Sequence, residues 1–215
     1  MMKKNILFDL DGTLTDPFVG ISTCIIYALE KLNAKVPEPE SLGWCIGPPL
    51  HDSFCKLLDG DMALAQKAVM FYRERFQKTG MFENQVYETI PEALGALKEN
   101  GHTLFVATSK VRIFAEKIID HFNLAPFFKS VHGAEMDGTS ADKAALIAYI
   151  LAQEGLERVD TVMVGDTAYD MVGAKENGIY GLGVLWGYGS RQDLEDAGAG
   201  RCISSPRELN CIRHI

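Results

Sequence analysis

Short apolar runs closed by small or acidic residues recur along the chain, and each suits a buried strand of a parallel sheet. The first, Asn5 to Leu10, ends in acidic residues and Gly12. Thr103-Leu104-Phe105-Val106-Ala107 follows the helix stop Asn100-Gly101, Thr161-Val162-Met163-Val164 precedes Gly165, and Gly181-Leu182-Gly183-Val184-Leu185 follows Asn177-Gly178. Pro91 to Glu99, Ile113 to Phe122, Lys143 to Gln153 and Tyr169 to Glu176 read as the intervening helices. In one of them Leu146, Ile147, Ile150 and Leu151 make an apolar stripe at helical spacing. This alternation predicts an α/β fold built on a doubly wound parallel sheet, with Arg201-Cys202-Ile203-Ser204 as an edge strand.

A different pattern fills roughly Asp16 to Asn84, where helical periodicity prevails and no strand is evident. Ile21, Ile25, Leu29 and Leu32 form one stripe and Val69, Tyr72 and Phe76 another, while Pro37-Glu38-Pro39 and Gly47-Pro48-Pro49 divide the stretch into a small bundle. The expected organisation is a core of residues 1–14 and 85–215 with a helical insert, residues 15–84, directly after the first strand. An insert placed there can act as a lid over whatever the sheet binds.

Composition narrows the class. The 215 residues are 47% hydrophobic and 23% charged, enough for a real core and far from the charge-dominated region of disordered chains. A net charge of −8 gives no general attraction to a nucleic-acid polymer or an anionic membrane, so an anionic ligand needs a local positive site. The basic opening Met1-Met2-Lys3-Lys4 runs into Asp9 and Asp11 before the apolar core of an export signal can form. No apolar run approaches the ~20 residues of a membrane helix. The five cysteines, Cys24, Cys45, Cys55, Cys202 and Cys211, are scattered without a C-x-x-C pair, as reduced thiols of a cytoplasmic protein would be. The histidines His51, His102, His121, His132 and His214 show no ligand spacing and are expected at the surface or its boundary.

Ligands of doubly wound sheets bind beyond the carboxyl ends of the strands. At those ends the sequence places Asp9-Leu10-Asp11-Gly12-Thr13-Leu14-Thr15, Thr108-Ser109-Lys110 and Gly165-Asp166-Thr167-Ala168-Tyr169-Asp170. Four carboxylates in one crevice would repel and raise one another's pKa, whereas a hard divalent cation would hold them ionised; Mg²⁺ is the economical inference. Taken singly, an Asp-Gly pair is an ordinary turn and a lone lysine an ordinary solvated side chain. Gly47-Pro48-Pro49 serves equally to break a helix or to present the insert to a substrate, and Trp186-Gly187-Tyr188-Gly189 reads as loop packing ahead of a crevice rim.

Asp9-Leu10-Asp11-Gly12-Thr13, Thr108, Lys143 and Gly165-Asp166 with Asp170 resemble, in order and over essentially the whole chain, the four motifs of the haloacid dehalogenase-like hydrolase superfamily, in its subgroup with a helical cap. Ile46-Gly47-Pro48-Pro49-Leu50, Phe82 to Tyr87, Val106 to Lys110 and Trp186 to Ser190 are similar to bacterial 5′-nucleotidase-like and phosphoglycolate phosphatase-like members. The resemblance implies a Rossmann-like core, a cap domain and Mg²⁺-dependent hydrolysis of a small phosphorylated metabolite through an aspartyl phosphate. It makes Asp9 the nucleophile and Asp11 the acid and base, with Thr108 and Lys143 completing the catalytic set. Gly12, Thr13, Ser109, Lys110 and Gly47 become candidates for phosphate or substrate binding. Asp9, Asp11 (through its carbonyl) and Asp166 become the metal ligands, with Asp170 beside the metal or acting on it through water.

Two lysines compete for the third motif, Lys143 being favoured over Lys110 because it opens a helix after Ser140-Ala141-Asp142, although the family more often has Lys-Pro there. Asp137-Gly138-Thr139-Ser140 carries Ser140 where similar sequences often have arginine. Rival readings are a phosphosugar mutase using the same aspartate and a non-catalytic phosphate-binding or interaction protein. The chain is expected to act as a monomer or homodimer.

Overall fold

The computed structural model describes residues 4–136 and 142–215 and divides into two compact units, Pro17–Gln85 and the remainder of the chain. The smaller unit is helical: α1 (Phe18–Lys31), α2 (Leu50–Leu57) and α3 (Met62–Phe76), with short 3-10 turns at Pro39–Cys45 and Gly80–Phe82. Ile21, Cys24, Ile25, Ala28 and Leu29 form the buried stripe of α1, which packs along α3. Tyr72 stacks on Phe76 at 5.2 Å and meets Phe54 edge-on at 6.3 Å. Asp61 starts α3 by accepting the Leu64 N–H at 2.9 Å, and Arg75 ties the end of α3 to Glu83 through two bonds of 2.6 and 2.9 Å.

The larger unit is a six-stranded sheet of β1 (Asn5–Phe8), β2 (Thr103–Val111), β3 (Ser130–Ala134), β4 (Thr161–Gly165), β5 (Tyr180–Val184) and β6 (Arg201–Ile203). The strands lie in the order β3-β2-β1-β4-β5-β6 and every pairing is parallel. The crossovers carry α4 (Ile90–Glu99), α5 (Arg112–His121), α6 (Lys143–Gln153), α7 (Ala168–Glu176) and α8 (Arg191–Asp196). Leu7, Phe105, Ala107 and Met163 of the three central strands pack against Leu146, Ile147, Ile150 and Leu151 of α6 and Ala174 of α7. The stripe read from the sequence is therefore the helix face that covers the sheet.

Strand register decides which polar side chains meet at the carboxyl edge. Phe8 lies level with Val106 on one side and Val164 on the other. Asp9, Thr108 and Asp166 thus emerge within about two residues of the same level, where strand order reverses around β1 and a crevice must open.

Some boundaries differ from expectation. β1 ends at Phe8 rather than Leu10, because the chain turns at Leu10, whose carbonyl accepts from Leu14 and Thr15. β2 continues past Ala107 through the polar Thr108-Ser109-Lys110 to Val111, with a register shift against β3 between Thr108 and Val111. β3 itself escaped the sequence reading, since Ser-Val-His-Gly-Ala offers no apolar run; as an edge strand it needs none. His102 is 5% exposed, inside rather than at the surface. Among the described residues no helix is long and apolar enough to cross a membrane, and all five cysteines are free thiols. Ser140 and the start Met1-Met2-Lys3 lie outside the described residues.

Candidate active site

Asp9 leaves β1 with its N–H bonded to the Val164 carbonyl at 2.9 Å, so its backbone is an extension of the sheet. Lys143, the first residue of α6, reaches back to it. Its Nζ lies 2.8 Å from Asp9 Oδ1, 2.8 Å from Asp170 Oδ1 and 2.9 Å from the Ala107 carbonyl, and the side chain is 5% exposed. Burial works against the ammonium charge, but Asp170 and Asp9 outweigh it and its pKa is raised. Asp142 holds the start of the helix by accepting the Ala145 N–H at 2.8 Å, and a Cβ on Gly173 of α7 would come within 2.9 Å of the Lys143 stem. The lysine is thus aimed by a capped helix and a glycine opposite.

Asp166 follows β4 and is completely buried. Thr13 Oγ1 donates to its Oδ1 at 3.0 Å and the Tyr188 N–H to its Oδ2 at 2.8 Å. Asp170, in the first turn of α7, is held through Oδ2 by the Thr167 N–H and hydroxyl at 3.1 and 2.9 Å. Asp9, Asp166 and Asp170 each offer a carboxylate oxygen within 4.8 Å of the others, and all three are buried. Burial first, then the charges of Asp170 and Asp9, push the Asp166 carboxyl well above the usual range. Asp170 is raised by burial against the pull of Lys143. An all-oxygen set of buried carboxylates, with Lys143 against the charge of two of them, fits a hard divalent cation.

Asp11 is placed differently from the other three. Its Oδ2 meets Lys110 Nζ at 2.7 Å, while Oδ1 is buried with no hydrogen-bond partner among the described residues. Burial raises its pKa and Lys110 partly offsets the rise. The two competing lysines therefore have separate carboxylates: Lys143 serves Asp9 and Asp170, Lys110 serves Asp11. Thr108 is buried on β2, its Oγ1 accepting the Lys110 N–H at 3.2 Å, and Ser109 lies partly buried between them.

Gly12 and Thr13 turn inward. The Gly12 N–H donates to the Thr15 carbonyl at 2.7 Å and the Thr13 N–H to that of Leu10 at 3.3 Å, so the loop's donors close its own turn. Gly12 has φ +85°, and a Cβ there would stand 2.1 Å from Asp166 Oδ2. Gly47 belongs to the helical unit, with φ +105°.

The loop after β5 is the part of the site that sequence reasoning undervalued. Trp186 Nε1 donates to the Thr13 carbonyl at 3.0 Å, the Gly189 N–H donates to the Asp166 carbonyl at 3.1 Å, and the Tyr188 hydroxyl donates to Asp16. A Cβ on Gly187 would lie 2.3 Å from the Gly12 carbonyl. The loop does pack, as its alternating aromatics and glycines suggested, and what it packs against is Asp166. The alternation of glycine with large side chains was the available signal: it marks a backbone pressed against something.

The family model described as haloacid dehalogenase-like hydrolase matches residues 6–184, well over half of the chain and spanning every strand end described above except that of β6. The chain belongs to the haloacid dehalogenase-like hydrolases. Among relatives of this hydrolase, a 5′-nucleotidase of Pseudomonas aeruginosa is 47% identical over 190 residues, covering 88% of this chain and 86% of its own. A protein named tyrosine-protein kinase PtkA, from Mycobacterium tuberculosis, is 37% identical over 97% of this chain and 70% of its own. A phosphoglycolate phosphatase of Colwellia psychrerythraea is 25% identical over 96% and 95%. The crystal structure of a "predicted phosphatase" from Clostridium acetobutylicum superimposes on the hydrolase with a TM-score of 0.96 at 38% identity, covering 100% of both chains.

Proposed function

We propose that this phosphatase of the haloacid dehalogenase-like family hydrolyses a small phosphomonoester, with a nucleoside 5′-monophosphate ahead of 2-phosphoglycolate as substrate, and does so with Mg²⁺ through an aspartyl phosphate on Asp9. The observation that carries the reading is the convergence of buried Asp9, Asp166 and Asp170 at the carboxyl edge of the sheet, with buried Lys143 paired to Asp9 and Asp170. The order of substrates follows the relatives, of which the 5′-nucleotidase is far more similar to this chain than the phosphoglycolate phosphatase is.

In the first step a carboxylate oxygen of Asp9 forms a bond to phosphorus as the bond from phosphorus to the leaving oxygen breaks, and Asp11 gives that oxygen its proton. In the second step Asp11 takes a proton from water, whose oxygen attacks the same phosphorus and frees the Asp9 carboxylate with inorganic phosphate. Lys143 keeps the charge of Asp9 tolerable while an anion approaches it. Thr108 and Ser109 are the groups proposed to orient the phosphoryl oxygens, and Gly12 and Thr13 act by shaping Asp166. Asp9, Asp166, Asp170 and the Asp11 carbonyl would hold Mg²⁺, which when bound would supply positive charge for the phosphoryl group. The helical unit is proposed as the cap that reads the leaving group.

Phosphate release from nucleoside monophosphates, phosphoglycolate, sugar phosphates and pyrophosphate, with and without Mg²⁺ and with Asp9→Asn as the blank, tests the reading. Mg²⁺-dependent release absent from the blank is expected. Release that is equal in the blank removes Asp9 as nucleophile. An isomerised sugar phosphate without free phosphate supports the mutase instead. No turnover of any substrate by protein that binds Mg²⁺ supports a non-catalytic binder.

A further inference from the structure

The two oxygens of Asp11 have different surroundings, and the difference assigns them different tasks. Oδ2 is 2.7 Å from Lys110 Nζ, in an ion pair whose side chains are 8% and 12% exposed for lysine and aspartate. Oδ1 is buried and meets no hydrogen-bonding group among the described residues. A buried carboxylate oxygen without a partner costs free energy unless something else uses it. Lys110 is also well placed to hold its own end still: it lies on β2, two residues beyond Thr108, whose hydroxyl takes the Lys110 N–H.

We propose that Lys110 is a positioning residue for Asp11, pinning Oδ2 so that Oδ1 is the atom that exchanges the proton with the leaving oxygen and then with water. This rests on Asp11 being the acid and base, and it departs from a role for Lys110 as a direct phosphate ligand. The two roles differ in what they make the rate depend on. A phosphate ligand acts on the group that all substrates share, so its loss slows every substrate by the same factor. A residue that aims the acid acts on the leaving oxygen, so its loss is felt most where that oxygen is most basic and needs its proton most. For Asp11 to serve, its carboxyl must present one oxygen at hydrogen-bond distance; a carboxylate free to rotate presents neither reliably.

The experiment is a series of substituted phenyl phosphates graded by the acidity of the phenol, from 4-nitrophenyl to 4-methylphenyl, with Mg²⁺ saturating. kcat/KM reports the steps through loss of the phenol. The parent enzyme is expected to show a shallow dependence on phenol pKa and Asp11→Asn a steep one. Lys110→Met is expected to be steep as well, losing at least about tenfold more on the least acidic phenol than on 4-nitrophenol, and Lys110→Arg, which keeps the ion pair, to return to the shallow line. A Lys110→Met line parallel to the parent overturns the proposal, because the residue then acts on the phosphoryl group. A parallel line for Asp11→Asn overturns the underlying acid assignment instead, so the two failures are distinguishable. Should Lys110→Met fail to fold, Lys110→Leu, which likewise has neither donor nor charge for Asp11 Oδ2, is read on the same series: a slope at or below the parent's counts against the proposal and a steeper one supports it.

Discussion

Each carboxylate at the sheet edge is defined by what holds it. Asp9 has Lys143, Asp166 has Thr13 and the Tyr188 N–H, Asp170 has Thr167 and Lys143, and Asp11 has Lys110. Substitution should therefore separate chemistry from fold. Asp9→Asn is expected to lower phosphate release by roughly 10⁴-fold while thermal unfolding stays cooperative; substantial residual turnover would remove Asp9 from the nucleophile's place. Asp166→Ala is expected to abolish saturable Mg²⁺ binding measured by calorimetry, together with activity, and unchanged binding would exclude Asp166 as a ligand. Gly187→Ala adds a methyl that must displace the Gly12 carbonyl or Asp166. It is expected to weaken Mg²⁺ binding with little change in the overall fold. These residues were largely legible in the sequence, because each is a carboxylate or hydroxyl just beyond an apolar run. What was not legible was pairing. The chain gives two lysines and four aspartates near one edge, and only the side-chain geometry shows which lysine faces which carboxylate.

The elements are held by ordinary forces that can be tested apart from catalysis. α6 carries Lys143 at its first position, and the Asp142 cap sets where that position falls. Asp142→Ala is expected to cost about 1 kcal/mol of stability by denaturant titration and to lower activity beyond that, since the ammonium is aimed from the helix start. At the other edge of the sheet, β3 supplies Ser130 and His132 to Glu154, which also pairs with Lys129. The Lys129 hydrogen bond leads in holding the Glu154 carboxyl below its usual range, and burial, helped by Arg112 and Lys129, holds His132 below its ordinary value despite Glu154. Both shifts are depressions, so in both cases the unfolded chain binds protons first as the pH falls. Stability from His132 is present above pH 6.5 and declines below it, and that from Glu154 is present above 4.5 and lost as the pH falls through the lower folded value. His132→Gln should flatten the melting temperature against pH just below 6.5 relative to the parent; an unchanged slope counts against the assignment. β3 was the one core strand missing from the sequence reading, because a half-exposed edge lets polar residues take the place of the apolar run that betrays a central strand.

At the scale of the whole molecule, the helical segment was readable from periodicity and from the prolines that divide it, whereas nothing in an apolar stripe tells what the unit recognises. The proposed selectivity role makes a plain prediction: changes within Ile46–Leu50 should alter the preference among natural phosphomonoesters more than the rate on 4-nitrophenyl phosphate, and equal losses on all substrates would deny that role. The core was readable because its strands and helices alternate so regularly, but the strand order was not, and that order has a consequence for synthesis. β1 is made before the strands it pairs with, yet it sits in the middle of the sheet with β2 on one side and β4 on the other, its Asn5 paired to Thr103 and to Thr161. A nascent chain must therefore reach Thr161–Gly165 before both edges of β1 are covered, and contacts so distant along the chain form slowly. Until β4 leaves the ribosome, Ile6, Leu7 and Phe8 remain a sticky apolar ribbon, and chains arrested before about residue 165 should need a chaperone to stay out of aggregates.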